Sequence, residues 1–205
     1  DTAAAIEQML GTGGGWQDQV GGLVPGLKLA GASPGIYQQP QVEPVFLDRS
    51  RRHELDERFV LLDTGQRRMA RNLLRLIMGK WLARERRVVE ILKHIQEIAR
   101  ALRDAVENGD FEETGALLNE HWELNKTLDE RTTNPFIDHL MEKLAPYLEG
   151  AKLAGAGGGG FLFGIARSGA APRIRDLLAR EFEDTNVRLH AGQIAWPEEE
   201  RTQAE

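Results

Sequence analysis

A chain of 205 residues with 41% hydrophobic and 28% charged residues has the balance of an ordinary soluble globular protein, long enough for one or two small domains with a sizeable core. Its net charge of −6 excludes the basic face of a general nucleic-acid binder, and no apolar run approaches the ~20 residues of a membrane span. With no cysteine there is neither disulfide nor thiol chemistry, and the five histidines are too scattered to form a close ligand pair. The expected compartment is the cytoplasm.

In chain order, residues 2–10 read as the second half of a helix, and a glycine-rich loop, GTGGGWQDQVGGLVPG, follows at 11–26. A functional loop this close to the start makes a fragment of a longer protein the expectation. LVPGLKLAGAS and IYQQPQVEPVF, punctuated by Pro and Gly, read as short strands. Residues 49–58 form an exposed helix or connection with Leu55 as the one large apolar residue. FVLLDTG (59–65) is a buried strand running into a loop. Met69, Leu73, Leu74, Ile77 and Trp81 recur at helical spacing, as do Val88, Ile91, Leu92, Ile95, Ile98, Ala99 and Leu102. Asn108-Gly109 ends that helix. Asp110 caps the next one, with Glu113 at the capping-box position, and Asn134-Pro135 opens another. The basic runs at 67–68 and 84–87 read as solvated helix face rather than a binding patch. KLAGAGGGGFLFGIAR (152–167) is strand, glycine loop, strand; 173–182 is an amphipathic helix; 187–196 is a last strand; and the tail PEEERTQAE is expected to be disordered. This order implies an α+β layer with helices covering one face of a mainly antiparallel sheet.

Two glycine clusters carry the chemistry. The first surrounds a lone acid, Asp18, with an indole and two amides, Trp16, Gln17 and Gln19. Such a set can hydrogen-bond several hydroxyls of a polyol and still offer one base. Asp18 is equally readable as a helix cap or an Asx turn. The second cluster, GAGGGG at 155–160, is neither a Walker A loop nor a dinucleotide fingerprint, because a strand follows it. It can expose backbone N–H groups or admit a ligand closely, or it can be a tight turn packed beneath a neighbour. Together the two clusters suggest one shared site.

GTGGGWQDQVGGLVPGLK, LLDTGQRRMARNLL and KLAGAGGGGFLF, in this order and spacing, resemble the C-terminal half of L-fucose kinases, members of the GHMP superfamily of small-molecule kinases. The resemblance covers about 5–195. GAGGGG is common to the superfamily, whereas WQDQ-Val-Gly-Gly joined to TGQxRxAR is specific to fucokinase-like members, with a heptose-phosphate kinase group as the nearest competitor.

By this resemblance Asp18 is the catalytic aspartate, and Gly13, Gly14, Gly15, Trp16, Gln17 and Gln19 shape the sugar pocket. Arg68, beside Thr64 and Gly65, lies near the sugar or the transferred phosphate. Gly155, Ala156, Gly157, Gly158, Gly159 and Gly160 hold the phosphate loop in place. The implied fold is the tail of a GHMP N-terminal domain at 1–48, then a ferredoxin-like C-terminal domain with inserted helices at 49–196, and a tail at 197–205. The implied reaction transfers the γ-phosphoryl of ATP to the anomeric hydroxyl of L-fucose, with Mg²⁺ ligands mostly outside this chain and none assigned within it. The Pro-x-x-x-Gly-Leu-Gly-Ser-Ser phosphate motif is missing, so the chain alone is expected to be inactive. Its expected partners are small molecules (sugar and ATP), the missing N-terminal half, and a fused nucleotidyltransferase domain, with no nucleic acid and no membrane. The alternatives are the heptose-phosphate kinase and a sugar-binding module without catalysis, though a pure binder has no need of a base beside the reacting hydroxyl.

Overall fold

The computed structural model describes residues 17–33, 40–66, 70–190 and 194–197, without the side chains of Asp18, Ala70, Arg71 and Asn72. The helix expected at 2–10 and the tail beyond Pro197 lie outside the described residues.

A short helix α1 (Gln17–Leu23) leads into a two-stranded antiparallel hairpin, β1 (Lys28–Ala32) and β2 (Pro40–Pro44). Helix α2 (Arg49–Arg58) begins where the Asp48 carboxylate accepts the Arg51 N–H at 2.9 Å. Strand β3 (Phe59–Asp63) follows, then four helices before the next strand: α3 (Ala70–Leu82), α4 (Arg86–Asn108), α5 (Phe111–Leu128) and α6 (Pro135–Leu144). Strands β4 (Leu148–Leu153) and β5 (Phe161–Ala166), helix α7 (Ala171–Glu181) and strand β6 (Arg188–His190) complete the order.

Local chemistry sets the helix ends. Gly109 takes a left-handed φ of 72° and its N–H closes onto Ala105 and Val106, the αL stop that a residue with a Cβ resists. The Asp110 side chain accepts from Glu113 N at 2.9 Å, and Asn134 Oδ1 accepts from Phe136 and Ile137 N ahead of the helix opened by Pro135. Within α3, an added Cβ on Gly79 meets nothing within 4 Å. Gly79→Ala should therefore stabilise the chain by about 0.5–1 kcal/mol, raising Tm by about 1–4 °C in a thermal melt.

The four-stranded sheet runs β4-β5-β3-β6, every pair antiparallel, with β3 paired on both sides. With β3 counted first, the order is 2-3-1-4, the ferredoxin-like split βαβ arrangement. One face buries Leu62, Leu153 and Leu162 against Ile137, Leu140 and Leu144 of α6 and Ile174 and Leu177 of α7. The other face packs Ile165 and Phe163 with Leu55, Leu102, Val106, Phe111 and Leu118. Helices thus cover both faces, and the expectation of one covered face is corrected. The strands show no clean polar alternation because both sides are buried.

Edge strand β4 is capped by α5. Asn119 donates to Glu149 O at 3.1 Å and accepts from Ala151 N at 3.1 Å, replacing a neighbouring strand. The register shift between Leu148 and Gly150 keeps Leu148 on the same buried face as Ala151 and Leu153. Contact here is backbone on backbone: a Cβ built on Gly150 would lie 1.8 Å from Gly115 O.

Leu27, Val45 and Leu47 pack with Leu55, Phe111 and Ile165, so side chains from before residue 48 share a cluster with those after it. The last strand is shorter than expected. Residues 191–193 lie outside the described residues; from Ile194 the chain is no longer in the sheet, and Ile194 N and Trp196 Nε1 donate to the Asp56 carboxylate at 3.4 and 3.1 Å, drawing 194–196 onto α2.

Candidate functional site

The loop 155–160 joins β4 to β5, which pair with each other. Gly155, Gly157, Gly158, Gly159 and Gly160 have φ of 65°, 93°, 79°, 137° and 86°. Every glycine of GAGGGG thus occupies backbone space that L side chains avoid, which accounts for the composition.

Two distant segments hold this loop. From the end of β3, Thr64 donates both its N–H (2.9 Å) and its Oγ1 (2.7 Å) to Gly160 O, and Gly160 N donates to Gln66 O at 3.1 Å. Thr64 is fully buried. From the turn between α5 and α6, Thr132 O accepts Gly158 N at 2.6 Å, while Thr132 Oγ1 donates to Asn125 O at 3.0 Å. A Cβ on Gly157 would come 2.5 Å from Thr132 O. The same turn is stapled by Asp129, whose carboxylate accepts Arg131 Nε at 2.7 Å and Nη2 at 2.6 Å; that pair holds the Asp129 carboxyl down at about 2.

Backbone N–H groups of Ala156, Gly157 and Gly159 have no backbone acceptor among the described residues. Backbone N–H groups left free in a glycine loop are of the kind that can meet an anion. Among the described residues no group of three His, Asp or Glu converges to hold a metal ion, and no helix is long and apolar enough to cross a membrane.

Beneath the loop, Lys152 on β4 is buried, donates to Leu153 O at 2.8 Å and stands 5.0 Å over the Phe163 ring, its cross-strand neighbour. Beside it on α5, His121 buries Nδ1 without a hydrogen-bond partner among the described residues. Burial, then the Lys152 charge, pushes the His121 imidazole down to about 4. The folded chain therefore holds a neutral imidazole where the unfolded chain, near 6.5, takes a proton. That stability is present above about pH 6.5 and lost as pH falls toward 4. His121→Gln should flatten this limb of the unfolding free energy, measured by denaturant titration at pH 7, 5.5 and 4.

Of the first glycine cluster, Gly13, Gly14, Gly15 and Trp16 lie outside the described residues, as does Arg68. Asp18 occupies the second position of α1. Gln17 opens onto a cleft of about 580 Å³ between the β1–β2 hairpin and α4, and Gln19 buries Oε1 with no partner among the described residues. Described contacts of the loop 155–160 run to Thr64, Gln66, Arg131 and Thr132; Gln17 faces the hairpin and α4. Thr132 and Asn125 were not legible as loop partners, since nothing near GAGGGG names them. The TTNP turn before Pro135 is the one local signal.

Residues 102–184 match the family described as GHMP kinases C terminal. Over this segment the chain thus carries a GHMP kinase C-terminal domain. Over 187 residues the chain is 39% identical to a bifunctional fucokinase/GDP-fucose pyrophosphorylase of Arabidopsis thaliana, covering 90% of this chain and 18% of that protein. Over 185 residues it is 34% identical to an L-fucokinase/L-fucose-1-P guanylyltransferase of Bacteroides fragilis, covering 90% and 20%. The chain thus spans about a fifth of the length of these curated relatives. In fold it is similar to L. major mevalonate kinase (TM-score 0.65, 18% identity, 84% of this chain and 50% of that one). It is also similar to Lactococcus lactis galactokinase (TM-score 0.52, 15% identity, 77% and 48%).

Proposed function

We propose that this chain is the C-terminal part of an ATP-dependent sugar 1-kinase acting on L-fucose. The observation that carries the reading is the 39% identity to a fucokinase across 90% of the chain. The anomeric oxygen attacks the γ-phosphorus, the bond to the β–γ bridging oxygen breaks, ADP departs, and the hydroxyl proton passes to Asp18. Gly13, Gly14, Gly15, Trp16, Gln17 and Gln19 line the sugar, and Arg68 offsets charge on the transferred phosphoryl oxygens. The loop 155–160 faces the phosphate side, where its unpaired N–H groups and positive φ suit an anion. ATP supplies the phosphoryl group and Mg²⁺ screens its charge, with metal ligands expected mainly outside this chain. The division at 48/49 separates the remnant of the catalytic domain from the C-terminal domain. A nucleotidyltransferase domain in the same polypeptide accords with the two-activity names of the relatives. Without the Gly-Leu-Gly-Ser-Ser motif, the 205-residue chain alone should not turn over.

The test is ADP release by the full-length protein with L-fucose, D-galactose and heptose 7-phosphate. L-Fucose should give the highest kcat/KM. A clear preference for the heptose phosphate overturns the assignment.

A further inference from the structure

The cleft that Gln17 enters is walled on its far side by helix α4, an element that none of the three motifs includes. Ile95, Gln96, Ala99 and Arg100 line it, and their spacing makes two parallel rows along one helix face. Ile95 and Ala99 form an apolar row, while Gln96 and Arg100 form a hydrogen-bonding row. Across the cleft stand Gln17 of α1 and Gln41 and Glu43 of β2. Three carboxamides each offer donors and an acceptor, and Arg100 adds donors in a fixed fork. Among the described residues, Gln17, Gln41, Gln96 and Arg100 make no side-chain hydrogen bond or ion pair, whereas Glu43 is engaged by Arg103 at 3.3 Å.

This inventory selects a chemistry. Amides that both give and accept suit hydroxyl groups, which do the same, and an apolar row beside them suits the C–H face of a sugar ring. The lining holds one cation, Arg100, and one carboxylate, Glu43, so it has no net charge to hold a phosphate group. The volume, about 580 Å³, is in the range of small-molecule sites. We infer that this cleft takes the neutral acceptor sugar, with Gln96 and Arg100 of α4 as specificity-determining residues that hydrogen-bond its hydroxyls. The inference rests on the sugar-kinase reading above and deepens it, since it brings an inserted helix into contact with the substrate that the QDQ motif is proposed to bind.

The experiment measures kcat and KM for L-fucose in the full-length protein for wild type, Gln96→Ala, Arg100→Ala and Arg100→Lys, with Asp18→Asn as a marker of the kinase reading. Each alanine variant should raise the sugar KM about tenfold with kcat within about threefold of wild type, the pattern of a contact made equally in ground and transition states. Arg100→Lys should recover part of the loss, and KM for ATP should not move. Unchanged sugar KM in both alanine variants, with turnover lost in Asp18→Asn, leaves the kinase reading standing and overturns the inference. A lowered Tm with unchanged KM overturns it too, because the cleft then serves packing against the rest of the polypeptide. If the wild type phosphorylates none of the sugars, the kinase reading falls and this inference falls with it.

Discussion

Asp18→Asn in the full-length protein should lower kcat by about 10²–10⁴-fold while changing sugar affinity far less. Asn keeps the size of the side chain and most of its hydrogen-bonding capacity, and removes the charge and the basicity. In the first turn of a helix or in a loop turn Asn serves nearly as well as Asp, so a purely structural Asp18 would leave kcat within a few-fold. Asp18→Ala also deletes the hydrogen bond and should weaken sugar binding as well. A melting curve on each variant separates loss of chemistry from loss of fold. A kcat near wild type in a folded Asn variant would remove Asp18 from the mechanism, and with it the catalytic reason for the glycines around it.

Gly150→Ala should be the most damaging single methyl in the described chain. The new Cβ would lie 1.8 Å from Gly115 O, and Gly115 in turn has Glu149 Cβ 2.3 Å from its own Cβ position. Neither neighbour can rotate away, because one is helix backbone and the other is the bulged edge strand. Relief requires α5 to lift off β4, which breaks both Asn119 hydrogen bonds and opens the cluster around Phe111 and Leu118. A loss of at least about 4 kcal/mol is expected, equivalent to about 8–16 °C in Tm. Gly31→Ala, where an added Cβ meets nothing within 4 Å, is the matched control and should melt close to wild type. Comparable melting of the two variants would show that α5 and β4 are not held at this distance.

The helix boundaries were readable because their chemistry is local. Gly109, Asp110 and Asn134 each act within four residues of themselves, and their spacing states the geometry directly. Strands β3 and β5 were readable as apolar runs, and of β4 only the end at Lys152–Leu153 fell in the segment read as strand; with α7 between β5 and β6 they implied an antiparallel α+β layer. Burial on both faces was not readable, since Gly150, Ala151, Gly164 and Lys152 do not look like the residues of a two-sided core. The absence of a Cβ at Gly115 and Gly150 is what lets α5 come close to β4, and at Gly164 it lets β5 lie against β4. The end of β6 was misplaced because its fate depends on Asp56, a residue 140 positions before Trp196. In the candidate site, GAGGGG announces itself by composition, whereas Thr64, Gln66 and Thr132 are recognised as its holders only once the chain is folded.

The central strand of the sheet has a consequence for how the protein is made. Thr64, at the end of β3, meets Gly160 across 96 residues of chain. At about 5–20 residues per second, a ribosome needs about 5–20 s to bring out that span. During this interval β3 has neither β5 nor β6 beside it, while α3 to α6, whose hydrogen bonds are internal, are free to form as they emerge. The glycine loop is among the last features completed, because it needs the end of β3 and the 129–132 turn both in place. Slowing translation between α6 and β5 should therefore prolong exposure of the unpaired FVLLD segment to aggregation and to chaperones.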